Sequence, residues 1–291
     1  GVLAILLVNI VIAYPVYLPA ASGLLNLGAA RFVLIGAYVS GALSQFVGWP
    51  LILTIPAAGL VTACISFLIS FPILRTRGVY MVLATFAFAE VVGGILLNID
   101  ALGGASGLTV NAYAGLPTVG ITTAIVVAFV GWLLATRFGL AMRAVHDDEN
   151  VAALFGVNLR MTQVAAFTLG GMIGGIGGAL LLYQFQFIDV QSTGILFSIY
   201  VLLYVLLGGT QTAFGPIVGA LFFTAIPEGL RLLSEFDSSL KFVERGRYII
   251  FGVAVVLIMI GRPEGLITNQ LTEAIYRAFR RSTNGFSKSA E

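Results

Sequence analysis

Long apolar runs separated by short polar segments divide the chain from its first residue to about residue 261. A helix that crosses about 30 Å of hydrocarbon needs about 20 mostly apolar residues, and these runs have about that length. A membrane barrel would instead show alternating segments of about 10 residues. The pattern predicts an all-α polytopic membrane helix bundle. Its predicted spans, about nine in number, are 1–19, 30–48, 50–70, 78–98, 118–136, 162–183, 194–208, 214–230 and 246–261.

Composition supports a membrane protein and excludes several other classes. Of the 291 residues, 59% are hydrophobic and 10% are charged, whereas soluble domains have about 25% charged residues. This excludes a soluble enzyme, a nucleic-acid-binding domain and a disordered chain. The only cysteine and the only histidine are Cys64 and His146, so we expect no disulfide, no metal site and no cofactor bound by this chain.

Basic residues set the predicted orientation, because cytoplasmic loops are enriched in Lys and Arg. Ten of the fifteen fall on one side if the spans alternate, whereas 99–117 and 184–193 contain none. We therefore expect the N-terminus outside and the 262–291 tail in the cytoplasm, after a membrane domain of residues 1–261. Residues 231–247 are the exception, either an amphipathic interfacial segment or a miscounted span. An apolar run starts directly at Gly1, which leaves open whether a leading segment, such as another helix, precedes it.

Glu90 is an acidic residue well inside a predicted span, and Gly94 and Asn98 share its helical face. An ionisable group at mid-bilayer costs about 2.5–3.5 kcal/mol, so it should face protein or water. A structural role between helices and a role in a substrate pathway both remain open. We expect no basic partner for Glu90 inside another span, which argues against proton coupling.

Two glycine-rich segments mark further candidate sites. In the sixth predicted span, small residues at four-residue spacing should allow close helix packing, with a gating role as the alternative. These glycines are Gly170, Gly171, Gly174, Gly175 and Gly178. Breaks at Gly208, Gly209, Gly215 and Pro216 should be tolerated only where protein covers the backbone or a cavity adjoins it, so we assign them to the substrate pathway.

The longest polar insertion on the basic side is residues 137–161. Asp147, Asp148 and Glu149 suit a helix N-terminus, and Gly156 supplies a stop. The pattern predicts a short helix lying along the membrane, with an apolar face that docks to a cytoplasmic partner. A plain solvated connection is the alternative. No Walker motif occurs in the sequence, so we expect no ATP hydrolysis by this chain.

Several blocks of the sequence resemble the permease subunits of bacterial branched-chain (hydrophobic) amino-acid ABC importers. FAFAE and IPEGLR make the chain similar to the larger, M-type subunit of that family. The blocks are GLLNLGAARFVLIGAY (23–38), RTRGVYMVLATFAFAEVV (75–92), LGGASGL (102–108), MRAVHDDENVAALFGVN (142–158), VLLGGTQTAFGPIVGALF (205–222), IPEGLR (226–231) and GRPEGL (261–266).

The resemblance implies a multi-pass subunit of the bacterial inner membrane, surrounded by lipid, that forms a heterodimer with an H-type permease. A periplasmic solute-binding protein would deliver the substrate, and two ATP-binding subunits, which carry ATP-Mg, would drive alternating access. The family's coupling helix maps onto residues 143–158. The residues assigned to ATPase coupling are Arg143, His146, Glu149, Ala152, Ala153 and Gly156.

Three alternatives stay open at this point. The same machinery could carry urea, short amides or aromatic acids, because much of the selectivity belongs to the binding protein. An ion-driven secondary carrier would need inverted repeats and ion ligands inside the membrane, and neither is evident. A passive channel would transport without ATP.

Overall fold

The computed structural model describes residues 1–236, 252–253, 256–257, 260–261 and 265–266, with the side chains of 230–236 left out. Ten α-helices lie within these residues. They are α1 (Val2–Ala20), α2 (Ala29–Phe46), α3 (Leu51–Ile73), α4 (Val79–Leu97), α5 (Leu116–Ala135), α6 (Arg137–Asp147), α7 (Glu149–Leu154), α8 (Leu159–Phe185), α9 (Ile195–Gly208) and α10 (Gly215–Phe236).

The helical fold class is confirmed, with one small addition. Strands β1 (Leu108–Thr109) and β2 (Phe187–Ile188) pair antiparallel and join the α4–α5 connection to the α8–α9 connection. Two single 3-10 turns, Asp100–Leu102 and Gly104–Ser106, precede β1. Two-residue strands leave no periodicity long enough to read in a sequence, which is why the ribbon was not predicted.

Six of the described helices, α1 to α5 and α8, are long and apolar enough to cross a membrane. Helix α9 has 14 residues and is shorter than a full span, while α10 covers the predicted span 214–230. Most residues of the predicted span 246–261, of 231–247 and of 262–291 lie outside the described residues. The count of nine spans therefore stays a prediction.

Helix α8 lies at the centre of the bundle and packs on α1, α2 and α3. A methyl group on Gly170 would lie 3.0 Å from the carbonyl oxygen of Pro15 in α1. On the α2 side, a methyl group on Gly178 would overlap the carbonyl oxygen of Val33. The small residues thus let the backbones of neighbouring helices approach α8 closely.

The face of α8 toward α3 is equally close-packed. Gly175 leaves room for the side chain of Thr62, and Gly171 leaves room for Ser66. Further along, the Tyr183 hydroxyl is buried within hydrogen-bond distance of Ser40 in α2 and Thr54 in α3. Hydrogen bonds between helices add to packing where hydrocarbon cannot drive association.

Candidate transport pathway and coupling surface

Arg31 is a buried charged residue near the start of α2, with a side chain 5% exposed. Its Nη1 donates a hydrogen bond to the carbonyl oxygen of Val190 at 3.0 Å, and its Nη2 lies 3.6 Å from Oε1 of Glu90 in α4. Gly93 leaves the space, because a methyl group there would lie 3.0 Å from Nη2. The expectation that Glu90 lacks a basic partner in another span is therefore wrong.

This ion pair lies near mid-height of the bundle. Phe32, the residue after Arg31, packs against Gly174, which lies close to the middle of α8. Helix α2 therefore begins inside the bundle, and the connection before it is partly buried. Two buried side chains form hydrogen bonds with backbone groups near that connection. The Ser22 hydroxyl donates to the Pro19 carbonyl at 2.8 Å, and Asn26 Oδ1 accepts from the Gly28 amide at 2.8 Å.

Glu90, Gly94 and Asn98 lie on an exposed face of α4, beside the contact of Glu90 with Arg31. The Glu90 side chain is 55% exposed, and a methyl group on Gly94 would have no neighbour within 4 Å. Asn98 Nδ2 donates to the Gly94 carbonyl within the same helix at 2.7 Å. No described His, Cys, Asp and Glu side chains group in threes that could hold a metal ion.

The other predicted pathway residues close the tight connection between α9 and α10. A methyl group on Gly208 would overlap the Gly215 backbone, and Gly209 adopts φ +101°, which favours glycine. Pro216 occupies the first turn of α10, where its missing N–H costs nothing. These residues therefore have different neighbours from Glu90, which pairs with α2.

The α9–α10 connection also lines an open cavity of about 510 Å³. Thr212 and Phe214 contribute from the connection, Trp132 from α5 and Arg143 from α6. Arg143, one of the predicted coupling residues, thus lies beside a connection that the sequence assigned to the pathway.

The predicted short helix in 137–161 is present as α7. Asp148 Oδ1 accepts hydrogen bonds from the backbone amides of Asn150 at 2.8 Å and Val151 at 3.1 Å, which caps the helix. Gly156 then takes φ +81°, a conformation that ends a helix and favours glycine. The role of α7 in coupling stays a prediction.

The apolar face of α7 is open. Leu154 is 86% and Phe155 is 84% exposed, whereas Ala152 is buried against the chain. Ala153, which lies between Ala152 and Leu154 in the chain, is also exposed. Two large adjacent apolar side chains this exposed next to a capped helix suit a contact surface.

Polar contacts tie this segment to the bundle. Glu149 Oε1 accepts a hydrogen bond from Gln163 Nε2 at the start of α8, at 3.1 Å. On the preceding helix, His146 Nδ1 lies 3.1 Å from the carbonyl oxygen of Ala20 at the end of α1. Two of the predicted coupling residues, Glu149 and His146, thus contact two of the long helices.

Comparison with known proteins gives the class. The family described as "Branched-chain amino acid transport system / permease component" matches residues 1–259, and the chain belongs to this family. The high-affinity branched-chain amino acid transport system permease protein LivM of Escherichia coli (strain K12) is 29% identical over 282 residues, which cover 84% of this chain and 64% of that relative. The chain thus matches less than two thirds of the relative's length. No solved structure matches.

Two further relatives widen the comparison. The probable branched-chain amino acid transport permease protein LivM of Methanocaldococcus jannaschii is 27% identical over 237 residues, 75% of this chain and 68% of that protein. The autoinducer 2 import system permease protein LsrC of Escherichia coli O9:H4 is 34% identical over 125 residues, 41% of this chain and 36% of that protein. The chain is similar to transport permeases over most of its length.

Proposed function

We propose that the chain is the membrane permease subunit of an ATP-driven importer for branched-chain or other hydrophobic amino acids. The open apolar pair Leu154 and Phe155 carries the proposal, because a capped helix on the basic side that exposes such a surface fits a contact with a separate subunit. In this assembly an H-type permease completes the membrane part, two ATP-binding subunits dock on α7, and a periplasmic binding protein delivers the substrate at the bacterial inner membrane.

The mechanism is alternating access driven from the cytoplasmic side. Closure of the ATP-binding subunits moves residues 143–158, and the Glu149–Gln163 and His146–Ala20 contacts carry this movement to α8 and α1. Since α8 packs closely on three other helices, its displacement shifts them together. The ATP-binding subunits must bind the inward-open and outward-open states with different affinity, because only such a difference moves the equilibrium.

The substrate pathway runs along the exposed face of α4. A carboxylate near mid-height that is half exposed in this chain is costly against hydrocarbon, so water or another subunit must cover it. We infer that the H-type subunit faces Glu90, Gly94 and Asn98 across the pathway. The open space beside Gly94 is consistent with this arrangement.

The decisive experiment is a charged replacement of the open apolar pair. L154E/F155E should abolish ATP-dependent leucine uptake into membrane vesicles and co-purification of the transporter's ATP-binding subunits, while membrane insertion is unchanged. The control L154M/F155L keeps the apolar surface and should retain both. Normal uptake by L154E/F155E would refute the coupling role, and wild-type uptake without ATP would favour a carrier or channel.

A second class of cargo, solutes other than amino acids, remains to be compared. A 125-residue part of the chain is similar to an autoinducer 2 import system permease, which supports testing solutes other than amino acids. Urea, short amides and aromatic acids are further candidates. Competition of each unlabelled compound against leucine uptake ranks the candidate cargoes by affinity. If leucine itself did not enter, the assignment of an amino-acid cargo would be excluded, but the assignment as an importer subunit would not.

A further inference from the structure

A cleft of about 700 Å³ opens where α3 ends and where α4 and α8 begin. Arg75, Arg77 and Arg160 line it, and each of these side chains is exposed. The three arginines belong to the loops that the distribution of basic residues assigns to the cytoplasm. We name this feature the arginine cleft.

The arginine cleft keeps a net positive charge, because three arginines face one lining carboxylate, Glu149. That carboxylate accepts a hydrogen bond from Gln163. Within the part of the chain that the structure describes, none of the three arginines lies within ion-pair distance of a described carboxylate. Arg160 instead lies over the ring of Phe71, at 5.8 Å from its centroid.

Apolar walls continue from the arginines toward the membrane. Leu25 is 47% and Val79 is 74% exposed at the cleft. Tyr80, which follows Val79 on α4, is 75% exposed. The cleft thus combines a basic end with an apolar surface that continues along α4, a helix long enough to cross a membrane.

We propose that the arginine cleft binds the phosphate group of an anionic phospholipid in the cytoplasmic leaflet. Guanidinium groups match phosphate oxygens in geometry and charge, and basic pockets between membrane helices on the cytoplasmic side suit lipid headgroups. Free inorganic phosphate shares the headgroup chemistry but leaves the apolar walls uncovered, so the walls favour the lipid.

Native mass spectrometry of the complete chain, purified with its accompanying subunits and exchanged into phosphatidylglycerol or phosphatidylcholine, tests this proposal. The wild-type protein should retain phosphatidylglycerol selectively. R77Q/R160Q should lose about fivefold in retention per arginine removed, whereas R77K/R160K should keep most of it. R137Q removes one arginine from the same face outside the cleft and should retain the lipid, whereas R77Q alone should lose about fivefold.

Equal retention by R77Q/R160Q and the wild type would overturn the proposal, as would equal losses in R137Q and R77Q. Displacement of the lipid by millimolar inorganic phosphate would assign the cleft to the free anion. Unchanged lipid retention together with lost ATP-binding subunits would make it a protein contact instead. If R77Q/R160Q fails to insert, the single variants R75Q and R77Q provide the same comparison.

Discussion

Arg31 and Glu90 form an ion pair between α2 and α4 in which only one member is buried. The Arg31 side chain is 5% exposed and the Glu90 side chain 55%. The guanidinium depends on Glu90 for its compensating charge and on Val190 for a backbone acceptor. Removing the carboxylate therefore leaves an uncompensated buried cation, which is unfavourable in a membrane protein.

We expect E90Q to destabilise the protein more in the wild-type background than in R31M, with a difference of about 1 kcal/mol. The reason is that the R31M background has no buried cation to leave unpaired. Thermal unfolding of the four proteins in detergent, analysed as a double-mutant cycle, measures this coupling. Strictly additive effects would show that the two charges do not interact.

Gly178 should not tolerate even one additional methyl group. In G178A the new carbon would overlap the Val33 carbonyl oxygen, and α2 must shift, at a cost of about 1–3 kcal/mol. Detergent unfolding measures the loss. The matched control is G120A, because a methyl group on Gly120 in α5 meets nothing within 4 Å; a similar loss there would contradict the packing explanation.

Asp148 should govern the local stability of α7. D148A removes the acceptor of two backbone amides, and loss of such a cap costs about 0.5–2 kcal/mol. Hydrogen exchange at Asn150 and Val151 should quicken, with little change in α8. D148N keeps a side-chain oxygen and serves as the control. Unchanged exchange in D148A would mean that other contacts hold α7.

Tyr183 should contribute through its hydroxyl group. Y183F removes a buried polar group 3.0 Å from the Ser40 carbonyl oxygen and 2.8 Å from Thr54 Oγ1, which we expect to cost about 1 kcal/mol. Unfolding in detergent provides the measurement, and Y80F, at a 75% exposed position, should be neutral. Equal stability of both variants would show that the hydrogen bonds of the Tyr183 hydroxyl make no net contribution to the free energy of unfolding.

Local patterns predicted several features in detail. Continuous apolar runs place the long helices within a few residues of their observed ends, since the hydrocarbon thickness fixes their length. The acidic start and Gly156 predict α7 because capping and positive φ depend on neighbours in the chain. The four-residue glycine spacing likewise predicts a close-packed face of α8, because residues four apart lie on the same side of a helix.

Contacts distant in sequence required the tertiary structure. Helix α4 is apolar around most of its circumference, so its sequence does not reveal that Gly93 faces the bundle while Gly94 faces outward. Nor does the sequence show that α2 begins inside the bundle, which is what brings Arg31 to Glu90. The sequence by itself determined which segments form long apolar helices, because hydropathy is a local property. Only the packed structure decided which faces meet, because that depends on the shapes of all the helices together.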